Sequence, residues 1–266
     1  MSSWISRHTN KKKIIPVNIS SNIPIQKIDL SKERLYITNS TERINTFHSN
    51  NSDAIITFII PTIGRNTLLS AIESISNQTI NNWKAIIIFD ACLPTDDNLL
   101  IALNNDRFLP ICIDKAGQMG IVHNSAGKVR NIAMNLVKTE WIGFLDDDDK
   151  LLPTYTSKLL EEIKLNPTAD VIIFRMLNEI SSISIIPQLE NPKLEAGNVG
   201  ISFCLKTQLV PGFNFEQSEL EDFTLINKLK NSNIKMIISP YITYLINNTS
   251  FKSNLIQSVG PRITIN

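Results

Sequence analysis

The sequence predicts an α/β protein in which helices flank a mostly parallel or mixed central sheet, preceded by an N-terminal extension. Short runs of apolar, β-branched residues alternate along the chain with segments whose apolar residues recur at helical spacing. These runs are bounded by polar residues or proline, as expected of short strands that are buried on both faces. Regular alternation of strand and helix is typical of a parallel sheet with helices on both sides.

The first half of the chain contains four such runs. AIITFIIP is almost entirely apolar and ends in proline, KAIIIFDA ends in a carboxylate, and WIGFL leads directly into four aspartates. The segments between the runs carry one apolar stripe each, as an amphipathic helix does. The predicted strands are 54–61, 84–91, 108–114 and 141–145. The predicted helices are 65–78, 93–105, 126–139 and 152–163.

The second half alternates less regularly. Apolar runs predict strands at 169–176, 181–186 and 199–206, and a last helix begins at Glu221–Asp222 with an apolar stripe behind it.

Residues 1–52 are polar and rich in Ser, Asn and Thr, so we interpret them as an extension to a main domain at 53–266. Short apolar pieces at 14–17 and 35–37 predict at most two strands there. We expect the extension either to cover a sheet edge or to contribute to a homodimer.

Composition excludes several classes of protein. The chain has 266 residues and a formal net charge of +1, which argues against a nucleic-acid partner. No apolar run reaches about 18 residues, so we expect no transmembrane helix. Cys92, Cys112 and Cys204 fit neither zinc-site spacing nor a secreted disulfide framework, which predicts reduced, mostly buried thiols. We therefore expect a soluble cytoplasmic protein, with peripheral association at a membrane or glycan-assembly site as the alternative.

Three polar stretches follow the ends of predicted strands. Thr62, Asp90 and the run Asp146–Asp149 each come just after an apolar run. Ligands of open α/β sheets bind outside the carboxyl ends of the strands, so these stretches are expected to converge there. The first strand is followed by neither GxGxxG nor a Walker A lysine loop, which argues against a dinucleotide site and a P-loop.

Four consecutive carboxylates require a positive partner. Mg²⁺ or Mn²⁺ takes oxygen ligands from one or two carboxylates, water and substrate phosphates, and so can join a protein to a diphosphate. The ordinary alternative is an acidic surface turn or a helix N-terminus, where aspartate is favoured. A structural Ca²⁺ loop is disfavoured because DDDDK lacks the spacing of an EF-hand.

The order of four segments resembles the inverting, nucleotide-sugar-dependent glycosyltransferases of family 2, which have the GT-A fold. The segments are FIIPTIGR, IIIFDA, GKVRNIAMNLVKTEWIGFLDDDD and GFNFEQSELEDFTLINKL. The resemblance runs from about Ile55 to Leu229 and implies a nucleotide-binding half at 53–150 and an acceptor-side half at 151–266. It also implies transfer of a sugar from a UDP-sugar to a glycan, a lipid-linked glycan or a protein.

The resemblance assigns donor contacts in the first half. It places Thr62 and Arg65 at the base and ribose, and Asp90 at the uracil ring, although FDA stands where the family usually has two aspartates. Gly127, Arg130 and Asn131 match the segment that approaches the donor. For Arg130 the alternative is an ordinary surface charge on a helix.

The resemblance also divides the aspartate run. Asp146 matches its first position, Asp147 points to the ribose, and Asp149 has a capping or outer role. Asp148 ligates Mn²⁺ or Mg²⁺, with help from Asp146 and Asp147. Because side chains alternate along an extended segment, all four are not expected to ligate the metal.

The catalytic base is expected in the second half. The resemblance assigns this role to Asp222, with Glu221 beside it, although acidic residues also suit the first turn of any helix. The family often has a histidine near the C-terminal end of the domain, where this chain has Asn247 and Asn248. His123, in the loop before the third predicted helix, is interpreted as a solvent-exposed residue.

Two other functions stay open from the sequence. A sugar nucleotidyltransferase would use a similar sheet, but PTIGRNT has only one Gly and one Arg where those enzymes have a Gly-rich basic loop. A non-catalytic carbohydrate- or nucleotide-binding protein would keep the fold without turnover, and the acidic residue at 222 argues against it.

Overall fold

The computed structural model describes residues 41–116, 126–178, 184–190, 192–218, 220–246 and 260–265. Six α-helices lie in these ranges: α1 (Thr41–Ser49), α2 (Leu68–Ser76), α3 (Asp97–Leu103), α4 (Ala126–Met134), α5 (Tyr155–Leu165) and α6 (Glu221–Asn231). The same ranges contain ten strands: β1 (Ile56–Thr62), β2 (Trp83–Asp90), β3 (Phe108–Ile113), β4 (Trp141–Phe144), β5 (Lys150–Leu151), β6 (Val171–Asn178), β7 (Ser184–Ile186), β8 (Phe203–Lys206), β9 (Met236–Leu245) and β10 (Ile263–Ile265).

The first four strands form a parallel sheet in the order β3-β2-β1-β4. Every residue of β1 and β2 is buried, which explains why these runs lack the alternation of a half-exposed strand. The chain reverses its direction across the sheet between β3 and β4, so β1 and β4 flank a topological switch point. Ligands of such sheets bind in the crevice at the carboxyl ends of these two strands.

The remaining strands extend the sheet and make it mixed. The full order is β10-β9-β6-β8-β4-β1-β2-β3, with β5 paired to β9 and β7 paired to β6. Strand β8 is antiparallel to both β4 and β6, so β4 and β6 run in the same direction. The predicted fold class, a mostly parallel or mixed sheet flanked by helices, is confirmed. No helix in the described ranges has the length and apolarity needed to cross a membrane.

Several predicted elements differ in extent. The predicted strand 199–206 is shorter, since only Phe203–Lys206 has strand geometry. Of the predicted strand 181–186, residues 184–186 form β7, and 181–183 lie outside the described residues. Strands β9 and β10 were not predicted at all. Pro240 and Ser239 interrupt the apolar run of β9, whose burial depends on pairing with β6.

Residues 41–49 of the predicted extension form helix α1, which lies against the edge strand β3. Phe47 is buried, and Lys84 Nζ donates hydrogen bonds to the carbonyl oxygens of Phe47 (2.8 Å) and His48 (3.2 Å). A cation at these carbonyls stabilises the C-terminal end of the helix. The predicted strands at 14–17 and 35–37 lie outside the described residues.

The thiols agree with the prediction of free, mostly buried cysteines. Cys112 and Cys204 are buried and Cys92 is half-buried, and none of the three forms a disulfide.

Candidate active site

The aspartate run forms a β-turn rather than the extended segment predicted from the sequence. Strand β4 ends at Phe144, and Asp149 N donates a hydrogen bond to Asp146 O at 3.1 Å, which closes the turn. The carboxylates of Asp146, Asp148 and Asp149 come together, and Asp147, expected to help hold the metal, lies outside this group. The side chains therefore do not simply alternate, since Asp148 and Asp149 lie in the same group, but the expectation that not all four aspartates ligate a metal agrees with a group of three.

Asp147 joins the turn to the loop after β1. Its carboxylate accepts hydrogen bonds from Thr62 Oγ1 at 2.6 Å and from Arg65 Nη1 at 2.8 Å. Gly64 N donates to Thr62 Oγ1 at 2.9 Å, which orients the hydroxyl. Burial raises the pKa of Asp147 despite the opposing effects of Thr62 and Arg65. The two segments on either side of the switch point are thus held together through one buried carboxylate.

Asp146, Asp148 and Asp149 form the other group. Each offers a carboxylate oxygen, and the three oxygens lie within 4.8 Å of one another. Converging carboxylates suit a hard divalent cation such as Mg²⁺ or Mn²⁺, so the residues present fit the predicted metal. Asp149, predicted from the resemblance to have a capping or outer role, lies inside this group. Arg65 Nη1 also donates to Asp148 Oδ2 at 2.9 Å.

Tyr244 of β9 contacts the backbone of the aspartate turn. Its hydroxyl accepts a hydrogen bond from Asp146 N at 3.1 Å. Burial, together with the nearby charges and hydrogen bonding of Asp149, raises the pKa of this hydroxyl, which therefore stays protonated. Tyr244 was not predicted from the sequence. The β-branched and aromatic residues of ITYL would have indicated a strand, but no local signal indicates the contact of Tyr244 with the turn.

Arg130 connects the turn to helix α6. This arginine of α4 is 2% exposed, and it donates hydrogen bonds to Asp146 and to Glu221. Its Nη1 lies 3.9 Å from Asp222 Oδ1, and its guanidinium lies 5.3 Å from the centre of the Phe215 ring. Burial alone would lower the pKa of Arg130, but the surrounding carboxylates raise it. The alternative interpretation of Arg130 as a surface charge is wrong.

Glu221 fixes the start of α6 against the start of α4. Its Oε1 accepts from Arg130, and its Oε2 accepts from Gly127 N at 2.7 Å. A Cβ at position 127 would collide with Glu221 Oε2 and lie 2.8 Å from Phe215 Cβ, so only glycine allows this approach. Burial raises the pKa of Glu221, whereas Arg130 and Gly127 N lower it. Glu221 is thus occupied by two donors.

Asp222 differs from its neighbour. Its Oδ1 is buried and accepts no hydrogen bond from the described residues. Burial raises the pKa of Asp222 to about 7, and the charges of Asp146 and Glu221 add to this while Arg130 opposes it. A carboxylate with a free oxygen and a pKa near neutrality is suited to accept a proton.

Two predicted donor residues are bound to backbone groups. Asp90 Oδ1 accepts from Ala116 N at 2.6 Å, so it ties the end of β2 to the segment after β3. The side-chain amide of Asn131 donates to Phe215 O at 2.8 Å and accepts from Phe215 N at 2.9 Å. Asn131 therefore places Phe215 over Arg130. The donor roles of both residues stay predictions.

The structure brings most of the predicted residues together. Hydrogen bonds and ion pairs connect these residues into one network, which contains Thr62, Arg65, the aspartate run, Gly127, Arg130, Glu221 and Asp222. His123, Asn247 and Asn248 lie outside the described residues. Phe215 and Tyr244 join the site without having been predicted as part of it.

The sequence matches the model of one protein family, described as glycosyl transferase family 2, over residues 57–215. This span begins in β1, contains the whole aspartate turn and ends at Phe215, shortly before α6. The part of the network contributed by α6 therefore lies beyond the matched span.

Two curated relatives match about two fifths of the chain. An uncharacterized glycosyltransferase of Haemophilus influenzae is 26% identical over 119 residues, which are 44% of this chain and 37% of that protein. WcaA of Escherichia coli, provisionally named as a colanic acid biosynthesis glycosyl transferase, is 33% identical over 113 residues, which are 41% of this chain and 38% of that protein. The matches thus span less than two fifths of the length of either relative.

A solved structure has a similar fold. Residues 1–349 of S. aureus TarS, in complex with UDP-GlcNAc, align with a TM-score of 0.57 and 16% identity over 74% of this chain and 59% of that chain. Likeness at this level of identity concerns the fold, and it agrees with the α/β architecture described above.

Proposed function

The chain belongs to glycosyl transferase family 2, and we propose that it transfers a sugar from a nucleotide-diphosphate donor, a UDP-sugar, to an acceptor hydroxyl. The proposal includes assistance by Mn²⁺ or Mg²⁺ and inversion at the anomeric carbon. The solved complex of TarS with UDP-GlcNAc supports the choice of donor class. Acceptors in the proposal are glycans, with lipid-linked glycans and proteins as the wider class.

One observation carries the proposal. Arg130 bonds to Asp146 of the turn and to Glu221 of α6, and so fixes the distance between a cation-binding group and a free carboxylate. Glu221 is occupied by Arg130 and Gly127, whereas Asp222 keeps a buried oxygen without a hydrogen bond from the described residues. Glu221 is thus a positioning residue, and Asp222 is the candidate catalytic base.

The donor half of the site is the turn and the loop after β1. Asp146, Asp148 and Asp149 would hold Mn²⁺ or Mg²⁺, which when bound stabilises negative charge on a leaving diphosphate. Asp147, held by Thr62 and Arg65, keeps the turn in position beside β1. Arg65 faces solvent and the same turn, so its guanidinium is available to the nucleotide.

The acceptor half performs a proton transfer. Asp222 takes the proton of the acceptor hydroxyl, whose oxygen forms the new bond to the anomeric carbon. The bond from that carbon to the diphosphate oxygen breaks, and the nucleoside diphosphate leaves with the electron pair. A single displacement of this kind inverts the anomeric centre. A positioned base contributes roughly 10²–10⁴-fold to the rate, and a pKa of about 7 matches neutral conditions.

Thermal unfolding in the presence of UDP or UDP-GlcNAc, with and without Mn²⁺, tests the donor site. A ligand that binds only the native state raises the melting temperature, so we expect metal-dependent stabilisation by both. Asp148→Ala should lose this stabilisation, because it removes one carboxylate of the metal group. Asp222→Asn should keep it and lose transfer by roughly 10²–10⁴-fold. NMR of the released or transferred sugar reports the anomeric configuration.

The two other functions predict different results. A nucleotidyltransferase would release pyrophosphate from UTP and a sugar phosphate, which a family 2 glycosyltransferase does not. A binding protein without turnover would show the stabilisation by UDP and no transfer in the unmodified chain. Absence of stabilisation by any nucleotide, with or without metal, would contradict the proposal.

A further inference from the structure

A cavity lies apart from the network around Arg130. It has a volume of about 780 Å³ and is lined by strand β7 and the segment that follows it, including Ser184, Ile185, Gln188, Lys193, Glu195 and Asn198. We refer to it as the β7 cleft. None of its lining residues belongs to the aspartate turn, to α4 or to α6.

A buried arginine fixes one wall of the β7 cleft. Arg175 of β6 is fully buried and donates hydrogen bonds to the carbonyl oxygens of Pro187 (2.7 Å), Gln188 (2.6 Å) and Pro261 (3.2 Å). Asn198 adds a further link, since its Oδ1 accepts from Gln188 N at 3.1 Å. These bonds hold the backbone at Pro187 and Gln188, and with it this wall of the cleft, in position.

The β7 cleft opens at the same edge of the sheet as the aspartate turn. Strand β6 runs in the direction of β4, and β7 pairs with its carboxyl-terminal residues, Met176–Asn178. Strand β9 pairs with β6 over the same residues, so β7 lies on the opposite side of β6, in line with β8. Strand β8 is the direct neighbour of β4, which leads into the turn.

A chain of contacts gives an upper limit for the separation. Ile186 of β7 pairs with Met176, Met176 pairs with Tyr244, and the Tyr244 hydroxyl contacts Asp146 N at 3.1 Å. Two strand spacings of about 5 Å and one tyrosine side chain place the cleft within roughly 20 Å of the turn. An acceptor of several sugar units can therefore reach the β7 cleft and the turn at the same time.

The lining of the β7 cleft suits an uncharged, hydroxyl-rich ligand. Ser184 and Gln188 bring a hydroxyl and an amide, each able to donate and to accept hydrogen bonds. The charged pair Lys193 and Glu195 lies 3.7 Å apart, so its charges offset each other and favour no ion. Ile185 also lines the cleft, while its side chain packs against the small apolar cluster of Leu152, Leu177, Ile242 and Leu245. The mixture fits neither a phosphate nor a lipid tail.

We propose that the β7 cleft binds a distal part of a neutral oligosaccharide acceptor, several sugar units away from the hydroxyl that reacts. This inference rests on the proposed function, because it supplies the acceptor side of the same reaction. It selects the glycan class among the acceptors: a neutral oligosaccharide, rather than a monosaccharide or an anionic polymer.

An array of immobilised neutral oligosaccharides, anionic oligosaccharides and monosaccharides tests the inference on the full chain with UDP and Mn²⁺ present. The blocking variant is Gln188→Trp, since the Gln188 side chain is exposed and its backbone bonds to Arg175 and Asn198 are kept. The matched control is Asn81→Trp, an exposed residue before β2 at the opposite edge of the sheet. Thermal stabilisation by UDP and Mn²⁺ is measured on all three proteins.

We expect binding to at least one neutral oligosaccharide, reduced at least tenfold in Gln188→Trp and unchanged in Asn81→Trp, with stabilisation by UDP equal in all three. Three results would each overturn the inference: binding of no neutral oligosaccharide, binding by Gln188→Trp equal to that of the unmodified chain, or preference for anionic oligosaccharides or monosaccharides. In each case, stabilisation by UDP would still uphold the proposed function. If Gln188→Trp weakens glycan binding but no nucleotide stabilises the chain, the proposed function would be contradicted. The β7 cleft would then still be a saccharide-binding site.

Discussion

Two arginines bind the aspartate run, and they do so from environments that differ completely. Arg130 is 2% exposed and bonds to Asp146 from inside the fold, together with Glu221. The side chain of Arg65 is 48% exposed and bonds to Asp147 and Asp148 from the solvent side. The same residue type thus has two uses. The buried arginine keeps Asp146 and Glu221 in position, and the exposed arginine is free to exchange its carboxylate partners for a ligand.

The physical basis of this difference is solvation. When one partner of a buried ion pair is lost, the other charge stays buried without compensation, which costs several kcal/mol. An exposed ion pair stabilises the fold by only about 0–1 kcal/mol. Around Arg130, Asp146 and Asp222 keep partial access to water, with side chains 35% and 27% exposed, but Glu221, at 5%, has almost none. Asp148, in contrast, keeps contact with solvent, and Asp147 keeps its hydrogen bond from Thr62 when Arg65 moves away.

The largest effect is expected from Arg130→Met, which keeps the bulk of the side chain and removes its charge. It leaves Glu221 buried without its cation, so the free energy of unfolding should fall by about 3–5 kcal/mol. Urea unfolding followed by circular dichroism measures the change.

The double variant Arg130→Met/Glu221→Gln provides the control. Because it also removes the stranded charge, it should recover part of the lost stability, and the two changes should not be additive. A loss below about 1 kcal/mol in Arg130→Met would mean that water reaches the carboxylates, and the contrast with Arg65 would then fail.

A smaller effect is expected from Gly127→Ala, which disturbs the buried cluster without removing a charge. The added Cβ meets Glu221 Oε2 and Phe215 Cβ, so Glu221 has to leave the position in which Arg130 and Gly127 N hold it. Overpacking of this kind costs about 1–3 kcal/mol.

The matched control is Gly212→Ala, where the nearest atom to an added Cβ is Leu209 O at 3.8 Å, an ordinary contact. Urea unfolding of the two variants gives the comparison. Equal stabilities would show that Glu221 moves without cost and that its position is not fixed by close packing.

The pH dependence of stability tests whether Asp222 shares the buried environment of Arg130. The pKa of Asp222 is raised from 3.8 to about 7 in the folded chain, so the native state binds its proton more tightly than the unfolded state. The stability contributed by the proton is complete below pH 3.8 and is lost as the pH rises through about 7. Asp222→Asn should therefore gain stability relative to the unmodified chain between pH 5 and pH 8, on the order of 1–2 kcal/mol.

Glu161→Gln gives the opposite sign and serves as its control. Hydrogen bonds from Tyr241 and Lys158 lower the pKa of Glu161, so its contribution is present at neutral pH and is lost as the pH falls. Unfolding of both variants at several pH values measures the two slopes. A difference for Asp222→Asn that is independent of pH would mean that Asp222 is well solvated.

The parallel half of the fold was predictable because its signals are local. Strands β1, β2 and β4 are apolar runs that show their burial by composition alone. Strand β9 was not predicted, because Pro240 and Ser239 look like loop residues until β6 and α5 are in place. The hydroxyl of Ser239 is in fact satisfied by Glu162 Oε1 at 2.9 Å. Helix α1 was missed for a similar reason, since only Phe47 among its residues is buried.

The candidate site shows the same division. The convergence of Thr62 with the aspartate run followed from the carboxyl ends of parallel strands, which the alternation of strands and helices along the chain indicates. The grouping of Asp149 with Asp146 and Asp148 depends on one backbone hydrogen bond in the turn. The contacts of Tyr244 and Phe215 join segments far apart in the chain, and no local pattern encodes them.

The smallest effect on stability is expected from Arg65→Ala, and it completes the comparison. We expect a loss below about 1 kcal/mol, since Arg65 is half-exposed, Asp148 keeps contact with solvent and Thr62 still binds the buried Asp147. Because Arg65 is proposed to contact the nucleotide, the affinity for UDP in the presence of Mn²⁺ should nevertheless fall about tenfold, equivalent to about 1.4 kcal/mol. Urea unfolding and isothermal titration calorimetry measure the two quantities on the same protein.

Lys164→Ala, an exposed cation in the last turn of α5, is the control that should leave both quantities unchanged. A loss of stability in Arg65→Ala as large as that in Arg130→Met would show that exposure does not separate the two arginines. Unchanged affinity for UDP would remove Arg65 from the nucleotide site and leave it a support of the turn. Only a stable variant with weakened nucleotide binding agrees with an arginine that exchanges a carboxylate for a ligand, because a structural support would lose both properties together.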